Sequence, residues 1–241
     1  MMPLVFLHGW AQSRQVWFQQ ADIFPDAIFL NLPGHGGADD MPAAGWIESI
    51  ITQLPDEPCV LAGWSLGGIL AQGIASQLPD RIKALSLIST TPCFRQRTDW
   101  QAGCDAAQFA AFESAIASAS PLQLNRFFAL MLHGDALERS DYNRLAKGAV
   151  DRQQPASPQG LSTGLELLAR LDHRKTPPAL TMPSLILHGE QDAIVSVDAG
   201  RWLADSIPAN QFRLFQHCGH APFLTQPERF NTILSHWWKT L

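Results

Sequence analysis

The sequence predicts an α/β protein with a mostly parallel sheet of about six strands, helices on both faces, and a helical cap inserted into it. Three observations carry that reading. Short apolar runs alternate with longer helical patterns along most of the 241 residues, which is the signature of a parallel sheet. The stretch between Thr91 and Pro183 breaks the alternation and holds no convincing strand. A G-x-S-x-G turn, Gly63-Trp64-Ser65-Leu66-Gly67, joins an apolar run to a helical pattern.

In chain order, Leu4–His8 reads as the first strand. Its unbroken Val5-Phe6-Leu7 is expected of a strand buried on both faces, where alternation is lost. Ala27–Asn31 follows as a strand, then a helix over Ala43–Leu54. Cys59–Gly63 leads into the turn, Leu66–Leu78 is the helix leaving it, and Ile82–Ser89 is the next strand. Helices are expected over Ala106–Ala117, Leu122–Leu132, Ser140–Val150 and Leu161–Leu171. Pro155, Pro158, Pro177, Pro178 and Pro183 punctuate the second half of this stretch. The α/β pattern resumes with strand Ser184–His188, helix Val197–Ser206, strand Gln211–Phe215 and helix Gln226–Lys239. The division is therefore a core of 1–93 and 176–241 with a helical cap over 94–175. No internal repeat or low-complexity tract is visible.

Composition excludes several classes of function. With 46% hydrophobic and 16% charged residues, the chain can bury a core and is not disordered. No apolar run approaches the ~20 residues that span a bilayer. The N-terminus lacks the basic and long apolar regions of a signal peptide. A net charge of −5 argues against nucleic acid, which demands clustered Lys and Arg. Cys59, Cys93, Cys104 and Cys218 have neither CxxC nor CxxH spacing, so no metal site or disulfide framework is read, and a cytoplasmic location is the default. The charge is uneven. Residues 94–175 hold 10 of the 17 basic and 9 of the 22 acidic residues, so the acidity lies in the core.

The G-x-S-x-G turn makes Ser65 a candidate nucleophile, with the N-terminal end of the following helix directed at it. Serine needs a base, and the base an orienting carboxylate. Each should follow a later strand, acid first. Asp192 follows Ser184–His188 and His220 follows Gln211–Phe215, so they fit the acid and base. Glu190 and His217 compete for these roles. Glu190 sits where the chain is still leaving the strand, and His220 lies in a Gly-His-Ala-Pro loop approaching a helix, so Asp192 and His220 are preferred. An oxyanion hole needs two backbone N–H groups. Leu66, directly after the serine, and Trp10, in the His8-Gly9-Trp10-Ala11 loop, are placed to supply them. His8 reads as a loop-holding residue, not a base. Leu32-Pro33-Gly34-His35-Gly36-Gly37 lacks the spacing of a phosphate-binding loop.

These segments together resemble the α/β-hydrolase superfamily over essentially the whole chain. They resemble most closely the esterases of biotin synthesis that act on pimeloyl-acyl-carrier-protein methyl ester. The resemblance rests on His8-Gly9-Trp10, Gly63-Trp64-Ser65-Leu66-Gly67-Gly68, Thr91-Pro92-Cys93-Phe94 with Trp100, Asn125–Leu130, Gly164–Leu168 and His220-Ala221-Pro222-Phe223. It implies a metal- and cofactor-free serine esterase that releases methanol from a pimeloyl chain on acyl carrier protein. It also implies contact with the ester by Trp10, Ser65, Leu66 and His220, and an acyl channel lined by Phe127, Phe128, Ala129, Leu130 and Met131. Acyl carrier proteins are acidic, so a local basic patch is required. Arg126, Arg139, Arg144 and Lys147 are the candidates, on a chain expected to be a monomer. The chain departs from the family pattern where Leu122 and Asn143 replace cap arginines, with Arg144 displaced by one, and where Leu4 already lies in the strand before the His-Gly loop, without the two antiparallel strands that usually precede it, which leaves Ala27–Asn31 at an edge of the sheet.

Other readings keep the same residues. A broad short-chain carboxylesterase would use the triad without a carrier-protein partner. A menaquinone-pathway lyase of this fold, which also carries an L-P-G-H-G-G turn, would use it to abstract a proton. A non-catalytic binding protein would need none of it. Trp10, Trp64 and the cap segments favour the methyl ester esterase.

Overall fold

The computed structural model describes residues 1–118 and 121–241. Among the described residues six strands form one sheet: β1 (Leu4–Leu7), β2 (Ile28–Leu30), β3 (Cys59–Trp64), β4 (Ile82–Ile88), β5 (Ser184–Gly189) and β6 (Asn210–Phe215). Their order is β2-β1-β3-β4-β5-β6, every pair is parallel, and β2 lies at an edge. Both the strand number and the edge position match the sequence expectation. The chain leaves β1 toward one edge and returns to β3 on its other side. This reversal separates the two following loops and opens a crevice at the carboxyl ends of the strands. The loops after β1, β3, β5 and β6 all emerge there.

The helices are α1 (Phe18–Ala21), α2 (Trp46–Ile51), α3 (Leu66–Gln77), α4 (Ala106–Ser118), α5 (Pro121–Met131), α6 (Arg139–Ala149), α7 (Pro158–Arg170), α8 (Val197–Ser206), α9 (Pro222–Thr225) and α10 (Pro227–Trp238). One expected helix is broken. The Ala43–Leu54 helix is a 3₁₀ turn over Ala43–Gly45 followed by α2, with Gly45 at the junction. The helix expected over Gln226–Lys239 is α10, and the short α9 before it ends at Thr225 because Pro227 has no N–H to continue it. Helix α7 begins earlier than its apolar pattern, because Ser157 caps the Gly160 N–H at 2.8 Å and Pro158 takes the first helical position.

Strands β1, β3 and β5 are wholly buried, and α3 is buried from Leu66 through Ala75. An aromatic cluster packs beneath the Ser65 turn. Trp17 lies 4.9 Å from Phe6 and 4.2 Å from Phe223, and Phe223 lies 5.0 Å from Trp64. Each such ring contributes roughly 1.5–3 kcal/mol by burial alone.

Helices α4 to α7 form the insertion between β4 and β5. Its ends are stapled together: Cys93 bridges Asp172, and the His173 N–H donates to the Pro92 carbonyl at 2.8 Å. Among the described residues, no helix is long and apolar enough to cross a membrane.

Candidate active site

Ser65 sits between β3 and α3 with φ 54° and ψ −120°, a conformation that non-glycine residues rarely adopt. Strong local bonds hold it there. Its N–H donates to the Ile88 carbonyl at 3.0 Å, and its carbonyl accepts the Thr90 hydroxyl at 2.7 Å and the Gly68 N–H at 2.9 Å. The flanking glycines are steric requirements: a Cβ on Gly63 would strike the Gly67 carbonyl, and one on Gly67 the His8 and Leu7 carbonyls. Leu66 is the first residue of α3, so its N–H has no acceptor within the helix.

The loop after β1 presses on this turn. A Cβ on Gly9 would lie 3.1 Å from the Ser65 Cβ, which brings Trp10 beside the serine. Two buried histidines hold the loop. The Leu32 N–H donates to His8 Nε2 at 2.9 Å, so the ring hydrogen is on Nδ1 and donates to the Gly9 carbonyl at 2.8 Å. His35 repeats the pattern, accepting the Ala11 N–H at 3.3 Å and donating from Nδ1 to the Pro33 carbonyl at 2.8 Å. Burial pushes His8 down to about 3 and His35 to about 4, with His35 further lowering His8. Both rings are neutral structural groups, as expected of His8.

Asp192 and His220 meet at the other side of the crevice. His220 Nδ1 donates to Asp192 Oδ2 at 2.7 Å, and the Ile194 and Val195 N–H groups both donate to Asp192 Oδ1 at 2.9 Å. The Asp192 side chain is fully buried. Burial would raise its carboxyl, but the imidazoles of His220 and His188 outweigh that and hold it well below the usual carboxylate range. His188, whose Nε2 lies 3.4 Å from Asp192 Oδ2 and 3.0 Å from the Val195 carbonyl, was not among the expected site residues. Trp64 Nε1 donates to the His220 carbonyl at 2.9 Å, and the two rings lie 5.3 Å apart. The residue preceding Ser65 thereby ties down the loop that carries His220. The competing pair stands apart: Glu190 Oε2 accepts the His217 N–H at 3.3 Å on the surface. Cys218 is buried, and burial pushes its thiol upward, so it is no nucleophile.

A small apolar pocket opens over Ser65. Trp10, Phe94 and Ile194 reach it from loops of the sheet; Phe112, Phe127, Leu165 and Leu168 come from α4, α5 and α7. The indole of Trp10 lies edge-on to Phe127 at 5.0 Å, and its N–H donates to the Leu161 carbonyl at 2.9 Å. The expected channel run over 127–131 needs correction. Phe127 lines the pocket, but Phe128 is buried against Tyr142 at 5.8 Å, Ala129 is exposed, Leu130 is half-buried, and Met131 is buried with its carbonyl on the His220 N–H. Consecutive helical residues turn ~100° apart, so five in a row cannot face one cavity. Sequence reasoning missed Phe112, Leu165 and Leu168 as lining. The i, i+3 spacing of the two leucines was the available signal.

Arg126 on α5 and Arg139, Arg144 and Lys147 on α6 are all exposed. Arg144 pairs with Asp141 at 3.1 Å; among the described residues the other three have no ion pair. Among the described residues, no group of three or more His, Cys, Asp or Glu could hold a metal ion.

Residues 2–227 match the alpha/beta hydrolase fold family. A pimeloyl-[acyl-carrier protein] methyl ester esterase from Aromatoleum aromaticum is 37% identical, covering 93% of each chain. One from Nitrosomonas europaea is 36% identical over 94% of this chain and 92% of its own. Among solved structures, an esterase from Exiguobacterium antarcticum superposes with a TM-score of 0.84 at 22% identity, covering 98% of this chain and 92% of that one.

Proposed function

The chain belongs to the alpha/beta hydrolases and, within them, to the pimeloyl-[acyl-carrier protein] methyl ester esterases, and from that premise we propose how its residues divide the work. It is an ester-hydrolysing enzyme whose substrate is the methyl ester of a pimeloyl chain carried on acyl carrier protein, and whose products are the free carboxylate and methanol.

Ser65 attacks the ester carbonyl while His220 takes its proton, and Asp192 stabilises the imidazolium. The oxyanion is held by the N–H groups of Leu66 and Trp10. His220 then returns the proton to the departing methoxide, leaving an acyl-serine. Water activated by His220 attacks this ester, Ser65 leaves with the proton, and the acid is released. The observation that carries the reading is the buried 2.7 Å bond from His220 to Asp192, joined through Trp64 to the strained Ser65 turn.

Residues 94–175 act as a cap that closes the acyl pocket, over a core of 1–93 and 176–241. The exposed Arg126, Arg139, Arg144 and Lys147 receive the acidic carrier protein. On α6, Arg144 and Lys147 occupy the side away from buried Leu145, Ala146 and Ala149, and Arg139 opens the helix. We further read the protein as a cytoplasmic monomer. One chain supplies both pocket and triad, and its four cysteines are free and buried, which suits a reducing compartment.

The test compares hydrolysis of methyl-pimeloyl carrier protein with that of free dimethyl pimelate as salt rises, with methanol measured. Faster turnover of the conjugate, lost at high salt, is expected. Equal, salt-insensitive rates would leave a short-chain carboxylesterase without a carrier-protein partner. Full activity in Ser65→Ala would remove the nucleophile assignment.

A further inference from the structure

The turn after α5 reaches out of the insertion and grips the loop that carries His220. The Met131 carbonyl accepts the His220 N–H at 2.8 Å, and Asp135 Oδ2 accepts the neighbouring Gly219 N–H at 2.9 Å. Two consecutive amides of the loop are thus held by one segment. There is no slack between them: a Cβ on Gly219 would strike the His133 carbonyl and lie 2.9 Å from both Asp135 Oδ2 and the Met131 carbonyl. On its other side the turn abuts the loop of Asp192. Gly134 has φ +95°, and a Cβ there would lie 2.6 Å from the Gln191 Cβ, while the Gln191 N–H donates to the Cys218 carbonyl at 2.9 Å.

Asp135 has no part in the bond-making steps, and among the described residues no cation pairs with it. Burial raises its carboxyl, and the Thr225 hydroxyl and the Gly219 N–H oppose that shift. Asp135 is half-buried without a counter-charge, so its hydrogen bond from the Gly219 N–H is what offsets the water it has lost.

We propose that Asp135 is a positioning residue: by fixing the Gly219 N–H it sets where the His220 imidazole stands relative to Ser65. The insertion therefore contributes to the chemistry as well as to the acyl pocket. This rests on the reading of Ser65 and His220 as nucleophile and base.

The experiment is steady-state hydrolysis of p-nitrophenyl butyrate by wild type, Asp135→Ala and Asp135→Asn, with melting curves in parallel. Asp135→Ala is expected to lower kcat by at least about tenfold with KM unchanged, because a small misplacement of a catalytic group is costly. Asp135→Asn, whose amide oxygen still accepts the Gly219 N–H, is expected to recover most of that loss. Should Asp135→Ala not fold, Asp135→Glu, which carries the oxygen one methylene too far, takes its place with the same expected loss. Wild-type kcat in Asp135→Ala, or in the Glu variant standing in for it, would overturn the proposal. So would a folded Asn variant no better than the Ala or Glu one. Ser65→Ala is run alongside: activity there defeats the nucleophile assignment, whereas an inert Ser65→Ala beside a fully active Asp135→Ala defeats only the positioning role.

Discussion

His8 and His35 lie 5.5 Å apart in the interior, and each offers its Nε2 as acceptor to a backbone N–H, His8 to Leu32 and His35 to Ala11. A second ring proton would turn either acceptor into a donor facing another donor. The loop that carries Trp10 therefore depends on both rings staying neutral.

Acid stability follows from that pair. An unfolded histidine takes up its proton near 6.5, whereas the folded rings do so only near 3 and 4. Between these values unfolding binds protons, so stability falls as pH falls below 6.5, by about 1.4 kcal/mol per pH unit for each ring. Melting temperature followed from pH 7 to pH 4 should drop more steeply in wild type than in His35→Gln, which cannot titrate. Parallel curves would refute the linkage.

Ser65 trades stability for geometry. Its φ of 54° strains a serine and suits a glycine. Ser65→Gly should abolish hydrolysis while raising unfolding stability by about 1 kcal/mol net of glycine's entropic cost. A urea titration reads this directly, and an unchanged or lower midpoint would mean the turn is relaxed.

Two adjacent phenylalanines should respond differently. Phe128 is fully buried against Tyr142, so Phe128→Ala should cost roughly 3–5 kcal/mol of stability with KM little changed in whatever folds. Phe127 lines the pocket, so Phe127→Ala should raise KM for a pimeloyl ester by roughly tenfold while costing less stability. Calorimetry beside steady-state kinetics separates the two, and equal effects on KM would restore the continuous channel.

The acid can be tested against its neighbour. Asp192→Asn removes the charge that His220 faces and should lower kcat about 10³–10⁴-fold. Glu190→Gln should leave kcat unchanged, since among the described residues that carboxylate takes its hydrogen bond from the His217 N–H on the surface. The reverse pattern would reassign the acid.

Much of this was legible in the residues alone. The strand–Ser65–helix junction and the order Ser65, Asp192, His220 follow from local pattern and from where short apolar runs fall, while the edge position of β2 follows from the family resemblance. What was hidden depends on rotation and on long-range contact. Helix phase decides that Phe127 meets the pocket and Phe128 the interior, and a run of apolar letters does not state its phase. His188 meets Asp192 because the loop after β5 folds back on its own strand, and Asp135 reaches Gly219, 84 residues away, only because loops from separate elements converge. The break at Gly45 was visible as a helix-weakening residue, yet the apolar periodicity ran through it.

The stapled ends at Cys93 and Asp172 make the insertion a closed excursion from the sheet. Strands β4 and β5 pair directly beneath it. A cassette so joined could be exchanged for another, and acyl preference altered, with the sheet left whole. The turn at Met131 and Asp135 sets the condition on such a graft. A replacement must bring its own acceptors for the Gly219 and His220 amides, or it will arrive with a new pocket above a misaligned base.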